Sequence, residues 1–281
     1  AQVDDVFYVI EGMMKNVFAA THDLQLEIPF QRMSYDEAMN RYGSDKPDLR
    51  FDLQLKDFSG FARESGFRVF SSVVEKGGCV KALVAPQCGK YSRKQIDELE
   101  ETAKIYGAKG LAWMKVRESE FEGGISKFFQ DEYAAVCQQL EAQPGDVIAF
   151  VADFWQTACT ALGAVRNKLG RDLQLIDNSE FRFCWIVDFP LFERNEEEQG
   201  WDPAHHMFTM PKEDHLGTLE EDPGKVKGEI YDLVCNGSEL ASGSVRIHDP
   251  RLQRRIFNII GFSEEEAERR FGFLVEAFRY G

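Results

Sequence analysis

Acidic, basic and small polar side chains alternate with apolar ones in residues 231–248, YDLVCNGSELASGSVRIH. Asp232 and Glu239 supply two carboxylates, and Ser244 and Arg246 follow them. Carboxylates suit Mg²⁺ that is bound together with phosphates, and arginine pairs with a carboxylate or a phosphate in a forked geometry. If these side chains share a face, the segment predicts a site for an anionic ligand. The alternative is a surface cluster of ion pairs on a half-exposed sheet.

The same segment predicts a β-hairpin. Asn236-Gly237 is typical of a type I′ turn, which needs positive φ at both central positions. In the register of that turn, Asp232 and Glu239 lie on the same face of the hairpin. The two carboxylates are therefore expected to be near neighbours.

A change of parity in the second strand predicts a β-bulge. Leu240 is even-numbered, whereas Val245 and Ile247 are odd-numbered, so strict alternation would put them on opposite faces. One extra residue within 241–243 restores a single apolar face. The bulge would also turn three polar side chains to the carboxylate-bearing face: Ser244, Arg246 and His248.

A pair of adjacent histidines, His205-His206, precedes the hairpin. Neighbouring residues of an extended segment point in opposite directions, which argues against a metal site made of both. One of them could contact an anionic substrate. The alternative is a structural histidine in a loop.

Length and composition indicate a globular protein of about two domains: 281 residues, of which 43% are hydrophobic and 29% are charged. The net charge of −15 argues against a free-standing nucleic-acid binder that works by bulk charge, but not against a local basic patch. Six cysteines without metal-ligand spacing indicate reduced thiols of a cytosolic protein. No apolar run reaches the ~18 residues of a membrane span.

The periodicity predicts an α+β fold in which residues 53–175 form a unit of their own. Helices are predicted at residues 4–20, with Asp4 or Asp5 as the cap, and at 34–43, 55–65, 92–106, 126–139, 157–169 and 251–260, with a last helix after Ser263. Strands are predicted at residues 24–28, 67–75, 80–86, 111–117, 146–152 and 183–189.

Six segments in order resemble the bacterial-type aspartyl-tRNA synthetases, a class II aminoacyl-tRNA synthetase family: GSDKPDLR, SRKQIDE, KIYGAKGLAW, WIVDFPLFE, HHMFT and the hairpin sequence. The resemblance implies an antiparallel-sheet catalytic domain interrupted by an inserted α+β domain that is shared with an amidotransferase subunit. Residues 1–52 and 176–281 would be the two parts of the catalytic domain, and 53–175 the insert. It also implies a fragment that lacks the anticodon-binding domain and the three class motifs.

The resemblance assigns roles to residues of the hairpin and of the histidine pair. His205, Ser244 and Arg246 match residues that bind L-aspartate, and Glu239 and Asp232 match acids that contact ATP and its Mg²⁺. No residue of this chain matches a catalytic acid, base or nucleophile, because the family works by positioning and charge neutralisation.

The activity implied is that of a cytoplasmic, homodimeric aspartate–tRNA ligase, which converts aspartate and ATP to aspartyl-adenylate and transfers the aspartyl group to the tRNA 3′ end. The fragment alone is expected to be inactive, and whether asparagine tRNA is charged as well is left open. Two alternatives remain: a related adenylate-forming enzyme, such as an asparaginyl-tRNA synthetase, and a non-catalytic RNA- or partner-binding module. Residues 53–175 argue against the asparaginyl enzyme, which usually lacks this insert.

Overall fold

The computed structural model describes residues 2–195, 197 and 199–277, which fall into two compact units. The first unit contains the residues up to Tyr35, Phe183–Val234 and those from Glu239 onwards. The second unit contains Asp36–Arg182 and Cys235–Ser238. The assignment of residues 53–175 to an inserted domain stays a prediction.

Helices and strands intermix along the chain and are numbered here in chain order. The helices are α1 Val3–His22, α2 Tyr35–Tyr42, α3 Ser59–Glu64, α4 Arg68–Glu75, α5 Arg93–Ile105, α6 Tyr133–Leu140, α7 Trp155–Asp172, α8 Pro250–Ile259 and α9 Glu264–Ala277. The strands are β1 Gln31–Ser34, β2 Leu55–Asp57, β3 Cys79–Ala85, β4 Ala112–Val116, β5 Phe121–Glu122, β6 Val147–Asp153, β7 Phe183–Val187, β8 Phe192–Asn195, β9 Gly200–Pro203, β10 Ile230–Cys235 and β11 Ser238–Ser244. None of the described helices is long and apolar enough to cross a membrane.

The first unit is organised around a four-stranded sheet of order β1-β7-β10-β11, in which β1 runs parallel to β7. Helix α1 covers one face of this sheet through Phe7. The Phe7 ring stacks on Trp185 of β7 with the ring centres 4.1 Å apart, and meets Tyr231 of β10 edge-on. Because side chains alternate along a strand, Asp232 projects from the opposite face to Tyr231.

The second unit has a five-stranded sheet of order β2-β3-β6-β4-β5, with antiparallel pairing throughout its described strands. The long strands β3 and β6 are buried on both faces. One apolar cluster packs Leu83 and Val151 against α5 and α7. The other packs Phe150 with Phe58 and Phe70, against α3 and α4.

Several predicted elements are confirmed, notably the helix capped by Ser92. Its hydroxyl accepts a hydrogen bond from Gln95 N–H, and the two residues form a capping box. The helix predicted at 34–43 is α2, which ends at Tyr42 before Gly43 (φ 68°).

The prediction of a strand at residues 67–75 is wrong, because this segment forms α4. Phe67, Phe70 and Val74 all belong to one apolar cluster, and their spacing of three and four residues is that of a helix. The β-branched valines of the segment favoured a strand, but packing of the Phe70 ring decides the conformation.

Other boundaries also need correction. Residues 55–65 begin with strand β2, which pairs with β3, before α3 starts, and 126–139 hold a short 3₁₀ turn before α6. Residues 24–28 contain no strand, and α7 runs past Gly170 to Asp172. Gln2, not Asp4 or Asp5, is the N-cap of α1; Asp5 completes its capping box.

Candidate functional site

The predicted hairpin is present, with β10 and β11 joined by the two-residue turn Asn236-Gly237. Both turn residues have positive φ, 52° and 82°, as a type I′ turn requires. The Asn236 side chain accepts a hydrogen bond from Arg182 N–H (2.9 Å) and donates one to the carbonyl of Glu180 (2.8 Å). These bonds fix the turn at one end of the site.

At the end of the hairpin away from the turn, the pairing of β10 with the residues after β11 is shifted by one residue relative to the pairing at the turn. A two-residue turn pairs Cys235 with Ser238, and this register would place Glu229 opposite Ser244. Instead, Val245 N–H donates to the carbonyl of Glu229 at 2.9 Å. Strand β11 therefore contains one extra residue between the turn and Val245, as predicted, and its placement within 241–243 stays a prediction.

Gly243 shows why a small residue is needed in this part of β11. A Cβ atom built on Gly243 would lie 2.4 Å from the Tyr231 ring. Gly243 therefore lies against Tyr231, on the face of the sheet that α1 covers.

The extra residue brings the predicted polar side chains to one face. Val245 lines a cavity of about 580 Å³ together with Phe7 and Tyr231, on the α1 side of the sheet. Its neighbours Ser244 and Arg246 therefore project from the other side. Glu239 joins that side as well, because the turn register pairs it with Val234.

The four side chains differ in exposure. Asp232 is 3% exposed, Ser244 is half-buried, and Glu239 and Arg246 are exposed. His248, which the bulge was also expected to bring to this face, is exposed beyond the end of β11.

Of the two adjacent histidines, the structure places His206 beside the hairpin. Its Nε2 lies 3.2 Å from Ser244 Oγ, and its Nδ1 lies 2.9 Å from Nη1 of Arg246. The His205 side chain is exposed and its ring packs edge-on against Phe189. The role that the resemblance gives to His205 stays a proposal.

The hydrogen bonds of His206 assign its tautomer. A guanidinium only donates hydrogen bonds, so Nδ1 of His206 is the acceptor for Arg246, and it also accepts from Phe208 N–H (3.2 Å). The ring proton is then on Nε2, where it is donated to Ser244 Oγ. Burial lowers the pKa of His206, and the positive charge of Arg246 and the neighbouring His205 lower it further.

A short segment after the histidines supports this arrangement. Thr209, which is 0% exposed, forms a β-bridge with Arg246, and its hydroxyl lies 3.2 Å from His206 Nδ1. Met210 N–H donates to the carbonyl of Val245 at 2.8 Å. The sequence analysis singled out the histidine pair but assigned the role to His205, and it missed Thr209. The sequence offered the histidine pair as a signal for His206, and for Thr209 only its spacing of three residues from His206.

The carboxylates of this face suit a metal ion that is also bound by substrate phosphates, rather than a metal ion that is bound by protein side chains alone. Within the described ranges, no group of three or more His, Cys, Asp or Glu side chains could hold a metal ion. Asp232 and Glu239 nevertheless offer two carboxylates on one face, and Mg²⁺ is commonly bound by one or two carboxylates together with substrate phosphates.

A sequence profile of the family described as tRNA synthetases class II (D, K and N) matches residues 1–281. The chain belongs to this family, and its mixed fold of helices and antiparallel strand pairs agrees with that assignment.

Within this family, the chain is similar to aspartate–tRNA ligases of several bacteria. The chain is 57% identical over its whole length to an aspartate–tRNA(Asp/Asn) ligase of Treponema denticola, covering 48% of that protein. It is 52% identical to the aspartate–tRNA(Asp/Asn) ligase of Anoxybacillus flavithermus and 48% identical to the aspartate–tRNA ligase of Macrococcus caseolyticus. Each of these two alignments covers 99% of the chain and 47% of the relative. The chain therefore spans about half the length of the relatives that it matches.

Proposed function

We propose that this chain is part of an aspartate–tRNA ligase, which activates L-aspartate with ATP to aspartyl-adenylate and transfers the aspartyl group to the 3′ end of tRNA. The observation that carries the proposal is the shared face of the hairpin, where Arg246 and Ser244 stand with Asp232 and Glu239. The names of relatives that are 48–57% identical over nearly the whole chain agree with it.

Arg246 and Ser244 would bind aspartate. The guanidinium presents N–H groups in a fork that matches a carboxylate, and the exposed position of Arg246 leaves it accessible to a small molecule. His205 would add a contact from its own segment, where its side chain is exposed next to Phe189.

Asp232 and Glu239 would hold Mg²⁺ together with phosphate oxygens of ATP. The metal, when bound, supplies positive charge that offsets repulsion between the phosphates and the attacking carboxylate. The contribution of the chain itself would be to fix the two acids and the arginine on one face, since positioning and charge stabilisation are large terms in catalysis.

The wider expectations belong to the same proposal. The longer protein would be a cytoplasmic homodimer, and its acceptor would be the tRNA for aspartate, with asparagine tRNA tested separately. All six cysteines of the chain are free thiols, which fits a reducing compartment. Residues 53–175 would be the inserted domain.

The test is aspartate-dependent exchange of pyrophosphate into ATP by a full-length protein that carries these residues. We expect exchange with aspartate and charging of aspartate tRNA, and we expect Glu239→Gln to reduce kcat by about tenfold or more because a metal-contacting charge is lost. Glu265→Gln, on the exposed side of α9, is the matched control and should have no effect. Absence of aspartate-dependent exchange in the unsubstituted protein would refute the proposed function.

A further inference from the structure

The guanidinium of Arg246 is held at one nitrogen only. Among the described residues, its side-chain hydrogen bonding is confined to Nη1, which donates to His206 Nδ1 at 2.9 Å. Nε and Nη2 therefore keep their N–H groups for a forked pair with a carboxylate.

We propose that His206 is a positioning residue, which orients Arg246 for the substrate carboxylate and does so only as the neutral imidazole with an unprotonated Nδ1. This inference rests on the proposed function, because it concerns how the same site recognises aspartate. It goes beyond it by assigning separate tasks to the two histidines: His205 contacts the ligand, and His206 contacts the arginine.

The surroundings of His206 fix the ring from three sides. Phe208 N–H and Arg246 Nη1 donate to Nδ1, and Ser244 Oγ accepts from Nε2. The buried Thr209 hydroxyl lies beside Nδ1 as well. Because the ring is held at both nitrogens, rotation of the imidazole would break the contact with Arg246.

Protonation would disrupt this arrangement. A proton on Nδ1 would point at two donors, Phe208 N–H and Arg246 Nη1, and the imidazolium would face a guanidinium. The titratable or charged groups near His206 are Arg246 and His205, and both act against protonation. Acid is therefore expected to release Arg246 from its orientation and to weaken aspartate binding.

Two substitutions separate the roles of the two ring nitrogens. In His206→Asn, Oδ1 takes approximately the position of Nδ1 and keeps an acceptor for Arg246. In His206→Gln, the amide reaches approximately to Nε2, so the contact with Ser244 can persist while the contact with Arg246 is lost. His215→Asn is the matched control, since His215 lies in a separate 3₁₀ turn and its ring is near Asp214.

The experiment measures KM for aspartate, KM for ATP and kcat in pyrophosphate exchange between pH 5.5 and 8, in the full-length protein. In the unsubstituted protein, KM for aspartate should rise only at the acid end of this range, below the ordinary histidine pKa of about 6.5, because burial and the charge of Arg246 lower the pKa of His206. His206→Asn should stay within a few-fold of that protein at pH 8 and should lose the rise in acid. His206→Gln should raise KM for aspartate by about tenfold or more at every pH, with little change in KM for ATP, because a misdirected guanidinium is a positioning defect.

Equal KM values for aspartate in His206→Asn, His206→Gln and the control His215→Asn would overturn the inference. An unchanged acid response in His206→Asn would overturn it as well. Absence of aspartate-dependent exchange in the unsubstituted protein would instead overturn the proposed function. A readout independent of activity is the ¹⁵N spectrum of histidine-labelled protein near neutral pH. His206 should show an unprotonated Nδ1 and a protonated Nε2, and the reverse tautomer would contradict the proposal.

Discussion

Two arginines show how the same side chain serves different purposes in the two units. Arg166, on α7 of the second unit, is 0% exposed and donates to the backbone carbonyls of Asp48, Phe51 and Leu53. Its guanidinium stacks on the Phe51 ring at 3.9 Å. Arg246 of the first unit is exposed and contacts only one ring nitrogen of His206 through its side-chain donors, among the described residues.

The difference lies in which partners satisfy the guanidinium. Main-chain carbonyls accept from Nε and Nη2 of Arg166, and Asn167 Oδ1 accepts from Nη1 (3.2 Å). Arg166 therefore ties the loop at 48–53 to α7, and each of its side-chain nitrogens already has an acceptor. Burial lowers the pKa of Arg166 to about 10. Arg246 keeps two donor nitrogens available, which is the state expected of a residue that binds an anion.

The largest effect on stability is expected from Arg166→Met. The substitution fills much of the same volume but leaves three buried carbonyls without their donor, so the free energy of unfolding should fall by about 3–5 kcal/mol. Urea denaturation of the full-length protein measures this change. Arg171→Met on the same helix, at an exposed position, should change the free energy by less than about 0.5 kcal/mol. A loss below about 1 kcal/mol in Arg166→Met would show that the carbonyls find other partners.

Gly43→Ala is expected to have the next largest effect. Gly43 has φ 68°, and a Cβ at this position would lie 2.2 Å from the carbonyl oxygen of Cys159 and 2.6 Å from Cα of Gly163. Both contacts are with backbone, so α7 would have to shift, and we expect a loss of about 2–4 kcal/mol in the free energy of unfolding. The control is Gly60→Ala in α3, where nothing lies within 4 Å of the new Cβ. This control should be neutral or slightly stabilising, and similar results for both variants would contradict the account.

Gly243→Ala is the corresponding substitution in the first unit. We expect it to affect function more than stability. The new Cβ would meet the Tyr231 ring, so we expect β11 to move and the orientation of Ser244 and Arg246 to change. The expected result is a decrease of about tenfold in kcat/KM for aspartate, equivalent to about 1.4 kcal/mol. Gly217→Ala, which has open space around it, should leave kcat/KM unchanged. A Gly243→Ala variant with unaltered kinetics would show that the bulge does not set the site.

Local signals were sufficient for the hairpin and for its face. The Asn236-Gly237 pair predicted the turn, and the parity change after Leu240 predicted the extra residue that the Val245–Glu229 hydrogen bond reveals. Both predictions depend on interactions between residues close in the sequence. The cap at Ser92 was predictable for the same reason.

The errors arose where distant contacts decide the structure. Residues 67–75 have a composition that suits a strand. The segment forms α4 instead, and the ring of Phe70 in this helix packs against the rings of Phe58 and Phe150. Alternation alone predicts that His205 and His206 point in opposite directions, but it does not say which one meets Arg246. That choice depends on the bridge between Thr209 and Arg246, which joins segments far apart in the sequence.

The central claim is that Arg246 recognises the side chain of aspartate, and the direct test is Arg246→Lys in the full-length protein. Pyrophosphate exchange with aspartate and with asparagine gives the ratio of the two kcat/KM values. A lysine keeps the charge but loses the forked pair of donors. We therefore expect kcat/KM for aspartate to fall by a factor that corresponds to about 2–3 kcal/mol of transition-state stabilisation, and we expect the preference for aspartate to shrink. Arg254→Lys, at an exposed position of α8, should leave both values unchanged. An aspartate-to-asparagine ratio in Arg246→Lys equal to that of the unsubstituted protein would contradict the assignment of this hairpin face to aspartate.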